Sequence, residues 1–403
     1  MDLLPDDVMP EDPFGALRVG PTPLLEPTGD GPLSGLDFVA KDVFDVEGQV
    51  TGAGNPTRLV EEPPAPESAA VVTALAAAGA RCIGKSHTDE FAFSLAGIES
   101  QSGSPRNPVD PARLPGGSSS GSAVAVASGL VPFALGTDTG GSVRVPASYC
   151  GIVGLRTTHG AVSRRGMVPL STSFDTVGWF GRNVETVRSV GDVLLPPRNP
   201  EMPAIRSLVI LDDARALLGP GVARAFTAAA AEFATARHLR LTSVQLTQGR
   251  LSEWVEVFRT IQMAEGFAQH GDWLARHPGA LAPGVEARIA AGAAVTPTQL
   301  EIARQARRRF IEMMTLTFGD GSAALVLPSA IGPAPLITDT LGPTGDLVRI
   351  TTLQLTCTAG LLGAPGLGLP LATVDDLPVG VGLVGRPGSD HALLDIAASN
   401  GSG

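Results

Sequence analysis

Apolar residues return near every 3.6 positions in three long stretches, 221–237, 252–276 and 297–316, and each predicts a helix with one buried face. Shorter apolar runs predict strands: 36–47, turning at Glu47-Gly48, then Ala80–Gly84, 131–136, 151–155, Ala324–Leu327, Gly366–Leu371 and Val379–Gly385. Ser68 stands where a cap would start a helix over Ala69–Ala78, which Gly79 ends, and Ser122–Ser128 reads as another helix. Strands alternating with helices predict an α/β fold, a single large domain over 1–403 with a central mixed β-sheet flanked by helices on both faces. Residues 1–35, rich in Pro and Gly, are expected to wrap the surface as an arm. Residues 245–320 are expected to form a helical lobe over the site, and Ala397–Gly403 reads as a linker-like tail.

Composition refines this picture. The 403 residues are 43% hydrophobic but only 4% aromatic, so the core should be close-packed and built from small side chains. A net charge of −11 argues against a nucleic-acid backbone or an anionic membrane as partner. The basic cluster Arg304-Gln305-Ala306-Arg307-Arg308-Arg309 reads as a solvated helix face. Cys82, Cys150 and Cys357 lie far apart, without disulfide or zinc spacing, which fits a reducing cytoplasm. The stretch Met1–Asp7 is acidic and proline-broken, unlike a signal peptide, and no run of about 18 apolar residues predicts a membrane span.

The chemistry concentrates between Pro115 and Pro146, where two Gly/Ser-rich turns are joined by small apolar residues. Serine there is the nucleophile candidate, and the neighbouring glycines let a substrate reach backbone N–H groups, as acyl transfer requires. In Asp138-Thr139-Gly140-Gly141-Ser142, successive N–H groups can converge as an anion nest over which Ser142 attacks. The base could be Lys41, alone in an apolar run, if burial lowers its pKa from near 10.4. Asp42 should then face the other side of the sheet. By residue type alone, Lys41 reads more often as a structural ion-pair member, and His87, His159 and Lys85 remain alternative bases. The string Gly79–Ser86 spells G-x-x-x-x-G-K-S, but a helix precedes it and Arg81-Cys82-Ile83 reads as strand, so a P-loop nucleotide-binding module is a remote alternative. Asp89-Glu90 reads as an acidic helix start, and Trp254 and Trp273 as core of the lobe.

Residues 36–180 resemble the core of the amidase signature family. The matching residues are Val39-Ala40-Lys41-Asp42, Gly116-Gly117-Ser118-Ser119-Ser120-Gly121 and Asp138-Thr139-Gly140-Gly141-Ser142, with Ser142 standing 24 positions after Ser118. Weaker similarity at 366–370 and 377–380 extends it towards the C-terminus. Phe44–Gly48, Arg144–Cys150 and Ser173–Phe180 resemble most the plant-type indole-3-acetamide amidohydrolase branch. The resemblance implies that Ser142 is the nucleophile, Ser118 a proton relay on a cis peptide, and Lys41 the neutral base. It implies oxyanion donors at the N–H groups of Thr139, Gly140, Gly141 and Ser142, with Ser119, Asp138 and Arg144 as supports and no metal or cofactor. The expected substrate is a small neutral arylacetamide-like amide, cleaved through a serine acyl-enzyme. A homodimer is compatible with this, and a glutaminase-type component of an amidotransferase is the alternative function.

Overall fold

In a computed structural model the described residues, 11–246, 250–340 and 343–398, build an α/β fold around one mixed sheet. Its strands are Leu17–Val19 (β1), Asp37–Lys41 (β2), Arg81–Ser86 (β3), Phe133–Asp138 (β4), Val153–Arg156 (β5), Thr176–Gly181 (β6), Ser207–Leu211 (β7), Arg240–Val244 (β8), Ala323–Pro328 (β9), Gly366–Val374 (β10) and Leu377–Val384 (β11). They lie in the order β1-β3-β2-β4-β6-β5-β10-β11-β9-β7-β8. The β2–β3, β2–β4, β7–β8 and β7–β9 pairs are parallel, and the others antiparallel.

Twelve helices pack around this sheet among the described residues: Pro56–Glu61 (α1), Ala70–Ala77 (α2), Ser120–Ala127 (α3), Arg144–Cys150 (α4), Val184–Leu194 (α5), Asp212–Arg215 (α6), Pro220–Ala236 (α7), Leu251–Arg276 (α8), Pro283–Ala291 (α9), Pro297–Thr315 (α10), Pro343–Leu362 (α11) and Asp390–Ala398 (α12). None is long and apolar enough to cross a membrane.

Both sheet faces are dry in the middle. Along β2, Phe38 and Ala40 join one core while Val39 joins another, and β4 splits Phe133 and Leu135 from Ala134 in the same way. Side chains alternate along a strand, so a continuous apolar run is what burial on two faces demands. The second core is made with α3 and α4, whose Ala123–Val126 and Ala147 are small enough for close approach to the strands.

Several elements differ from the sequence expectations. The run 36–47 is a strand only to Lys41, because the chain turns there, with the N–H groups of Val43 and Phe44 both donating back to Lys41 O. Ser68 does not cap α2; its Oγ accepts the N–H of Glu47, and Ala69 occupies the cap position. The stretch before Leu36 is more than a surface arm, since β1 pairs with β3 and Ala16 and Leu33 are fully buried. Arg307, placed on a solvated face, instead donates to Leu361 O at 2.9 Å and lies over the Phe174 ring. Ala397 is buried in α12 rather than in a loose tail; residues 399–403, like Met1–Asp7, lie outside the described residues.

Candidate active site

Lys41 ends β2 and its side chain is completely buried. Its Nζ lies 2.8 Å from Ser118 Oγ and 2.7 Å from Thr137 Oγ1, and no carboxylate pairs with it among the described residues. Burial lowers its pKa to about 7, against the pull of Asp89, Asp138 and Asp175. A neutral amine accepts a proton, and its two hydroxyl neighbours can each donate or accept, so the site does not demand an ammonium.

Ser118 follows a cis Gly117–Ser118 peptide bond and precedes α3. The N–H of Asp89 donates to its carbonyl at 3.2 Å, and the N–H of Ser119 donates to Ser142 O at 3.3 Å, which holds the two serine turns against each other. Ser119 Oγ donates to Thr137 O and accepts the Thr137 N–H, both at 3.2 Å, tying the first turn to β4.

Ser142 sits between β4 and α4, where the backbone must be bare. Gly141 has φ +131°, and a Cβ there would lie 2.8 Å from Thr356 Oγ1; one on Gly140 would lie 2.9 Å from the Leu353 side chain. Helix α11 therefore packs directly onto the turn, and Thr356 Oγ1 donates to Gly140 O. The Gly141 N–H, expected among the oxyanion donors, is instead donated to Asp138 Oδ1 at 2.9 Å. The N–H groups of Thr139, Gly140 and Ser142 have no acceptor among the described residues, and Gly140 and Ser142 line the cleft.

Asp138 is the hub of the turn. Its carboxylate accepts from the Val143 N–H at 3.2 Å, from Arg144 Nε at 3.0 Å and Nη2 at 2.9 Å, and from Arg156 Nη1 at 3.0 Å. Burial alone would raise its pKa, but Arg144 and Arg156 outweigh that and hold the carboxyl well below the usual range. Arg156 also reaches Asp138 O at 2.5 Å and Phe174 O at 2.9 Å. Sequence reasoning missed Arg156, although it shares the signal that marked Lys41, a lone cation in a buried strand. It also gave no role to Asp175, whose Oδ1 accepts from Thr139 Oγ1 at 2.7 Å.

Asp89 and Glu90 stand at the start of a short 3-10 helix, Glu90–Ala92, as expected, but the Asp89 side chain does not cap it. Asp89 is fully buried, accepts the Glu99 N–H at 2.8 Å and the Gly97 N–H at 3.0 Å, and is pushed up to about 6 by burial. Glu90 accepts from Asn55 Nδ2 at 3.1 Å and the Ala282 N–H at 2.6 Å, stapling the α9 end of the lobe to the catalytic half.

The other candidates lie elsewhere. His87 and His159 do not line the cleft at Ser142, and His159 Nε2 lies 2.9 Å from Thr172 O. Gly79–Ser86 contributes strand β3 where a phosphate loop would be needed. Its Lys85 lies 3.0 Å from Asp42 Oδ1 and 2.9 Å from Thr51 Oγ1. Trp273 is buried against Phe91, and Trp254 packs on Phe310. Among the described residues no group of three or more His, Cys, Asp or Glu is arranged to hold a metal ion.

Ser142 opens into a narrow cleft of about 30 Å³ walled by Gly140, Phe93, Gln262, Arg288, Arg349 and Leu353. Leu95, Arg288 and Arg349 are shared with a larger pocket of about 300 Å³, whose wall includes Ile98, Leu114, Val145, Tyr149 and Val348. An acyl carbon at Ser142 would thus have an apolar chamber beside it.

A model of the Amidase family matches residues 26–394. Amidase 1 of Arabidopsis thaliana is 37% identical over 418 residues, spanning 96% of this chain and 97% of that protein. A glutamyl-tRNA(Gln) amidotransferase component from Symbiobacterium thermophilum is 36% identical over 411 residues, spanning 91% of this chain and 82% of that protein. The crystal structure of an amidase matches with a TM-score of 0.80 at 35% identity, over 91% of this chain and 84% of that one.

Proposed function

This chain belongs to the amidase family and is an amidase, and on that premise we propose that Ser142, Ser118 and Lys41 carry the hydrolysis. The observation that supports this most is the 2.8 Å approach of a buried lysine, free of any carboxylate partner among the described residues, to the hydroxyl of Ser118. Lys41 accepts the Ser118 proton as Ser118 accepts that of Ser142, and Ser142 Oγ attacks the amide carbon. The N–H groups of Thr139, Gly140 and Ser142 receive the developing oxyanion, where one donor is worth about 3–4 kcal/mol of barrier. The proton returns along the same path to the leaving nitrogen, which departs as ammonia or an amine. Water activated by the same relay then releases the acid from Ser142.

The substrate is a small amide with an apolar acyl part, and a neutral arylacetamide-like amide suits the wall of Leu95, Ile98, Leu114, Val145 and Tyr149. Indole-3-acetamide is the member of that class to test first, given the likeness to a plant Amidase 1. A panel of primary amides, anilides and esters, followed by ammonia or acid release, tests the assignment. Lys41→Ala and Ser142→Ala should each abolish turnover in a folded chain, and activity retained in either would end the proposed roles.

The likeness to a glutamyl-tRNA(Gln) amidotransferase component sustains a second reading, in which the chain releases ammonia to a partner protein. Turnover of simple amides by the purified chain alone, with no activity towards glutamine, would exclude it.

A further inference from the structure

The neck between the Ser142 cleft and the larger pocket carries two arginines, and their surroundings differ. Arg288 on α9 is already paired with an anion: its Nε donates to Phe93 O at 2.8 Å and its Nη2 meets the Glu99 carboxylate. Arg349 on α11 has one long contact, Nη2 to Asp346 Oδ1 at 3.4 Å, and that carboxylate is 68% exposed. Its Nε is buried with no hydrogen-bond partner among the described residues. Burial, then the neighbouring charge of Arg288, both press its pKa below the ordinary value for arginine. A guanidinium cannot escape by losing its proton, so a half-buried and under-partnered one is completed by an anionic acceptor.

Position reinforces this. Arg349, Leu353 and Thr356 follow one another at helical spacing on α11, and the latter two touch Gly140 and Gly141. Arg349 therefore stands one helical turn, about 5 Å, beyond the residue that packs on the nucleophile turn. Arg349 and Ser142 line the same narrow cleft, so a short acyl chain suffices to join them.

We propose that Arg349 is a specificity-determining anion clamp, through which the site takes, besides neutral amides, primary amides carrying a carboxylate a few bonds from the amide carbon. This rests on the hydrolase reading above. A short acyl chain crosses the apolar neck, its carboxylate meets the free edge of the Arg349 guanidinium, and its amide carbon lies at Ser142. Charge-assisted pairing of this kind is worth about 1.5–3 kcal/mol, which corresponds to about 10–100-fold in kcat/KM.

The test compares succinamate and glutaramate with butanamide and pentanamide, their neutral counterparts of matched chain length, on the full chain. The wild type should turn over at least one carboxylate substrate with a higher kcat/KM than its neutral partner. In Arg349→Gln that preference ratio should fall about 10–100-fold, expressed through KM, and Arg349→Lys should restore part of it. A ratio below one at both lengths, or one unchanged in Arg349→Gln, overturns the clamp. If no amide is turned over, the hydrolase reading fails on its own, and calorimetry with glutarate then decides the clamp. Binding by the wild type that is lost in Arg349→Gln supports it; no binding by the wild type overturns it.

Discussion

Lys85 is paired in register with Ala40, one residue short of Lys41, so the two lysines leave neighbouring parallel strands on opposite faces of the sheet. The register shift between Phe38 and Val39 sets this parity. Lys85 then meets Asp42, the Val50 carbonyl and the Thr51 hydroxyl, three acceptors for three ammonium protons. Lys41 meets only hydroxyls. Arg18 also binds Asp42, at 2.7 Å, so the carboxylate next to Lys41 in sequence is neutralised on the far side of the sheet. One lysine is thereby left without a carboxylate partner among the described residues and the other is paired with one.

With the Lys41 pKa at about 7, the amine is charged and unable to accept a proton below that value. Values of kcat/KM should rise about tenfold per pH unit below pH 7 and level off above it. A pH–rate profile on a neutral amide checks this, and a flat profile between pH 5 and 9 would remove Lys41 as the base.

The same shift has a thermodynamic counterpart of known sign. Between about 7 and 10.5 the unfolded chain binds a proton at Lys41 that the native chain lacks, so native stability rises with pH across that window. Lys41→Met lacks this linkage. Relative to the variant, the wild type should gain about 1.4 kcal/mol per pH unit there, measured by urea unfolding at several pH values. A constant difference would show that the lysine is not neutral in the fold.

Lys85→Met should leave Asp42 buried with Arg18 as its remaining cationic partner. A loss of about 3 kcal/mol in unfolding free energy is expected, the lower end for a broken buried pair. The lost positive charge should also move the rising limb of the pH profile to higher pH. Calorimetry of the wild type with Mg-ATP should show no binding, because the residues around Lys85 form a strand.

Asp138→Asn removes the charge that pairs Arg144 and Arg156, leaving two buried guanidiniums without an anion. It should cost about 3–5 kcal/mol of stability and disorder the nucleophile turn. The exposed pair Arg198–Asp395 provides the control, since Asp395→Asn should cost no more than about 1 kcal/mol. Equal denaturant midpoints for the two variants would contradict the hub role of Asp138.

Gly141→Ala places a methyl against Thr356 at a backbone angle that L-residues rarely adopt. Turnover should fall about 100-fold, since displacing reacting groups by about an ångström has that effect. Gly35→Ala, also at positive φ but with open space around its Cβ and far from the turn in sequence, should keep its turnover. A Gly141→Ala enzyme at wild-type rate would mean that the turn tolerates repacking of α11.

Local physics wrote much of this protein into its chain. Two glycine-rich serine turns, a lone lysine in a buried strand and the 3.6-residue rhythm of α7, α8 and α10 are decided by neighbours in sequence, and they were legible as such. The choice of Lys41 over Lys85 came from the family resemblance alone, because its physical cause is an irregularity in pairing between two strands about 40 residues apart. Arg156, which closes the Asp138 hub, and Arg349, which reaches the cleft from α11 more than 200 residues after Ser142, were not legible. A side chain's type announces what it can donate or accept; whether an acceptor awaits it depends on contacts that only the folded sheet and its covering helices bring together.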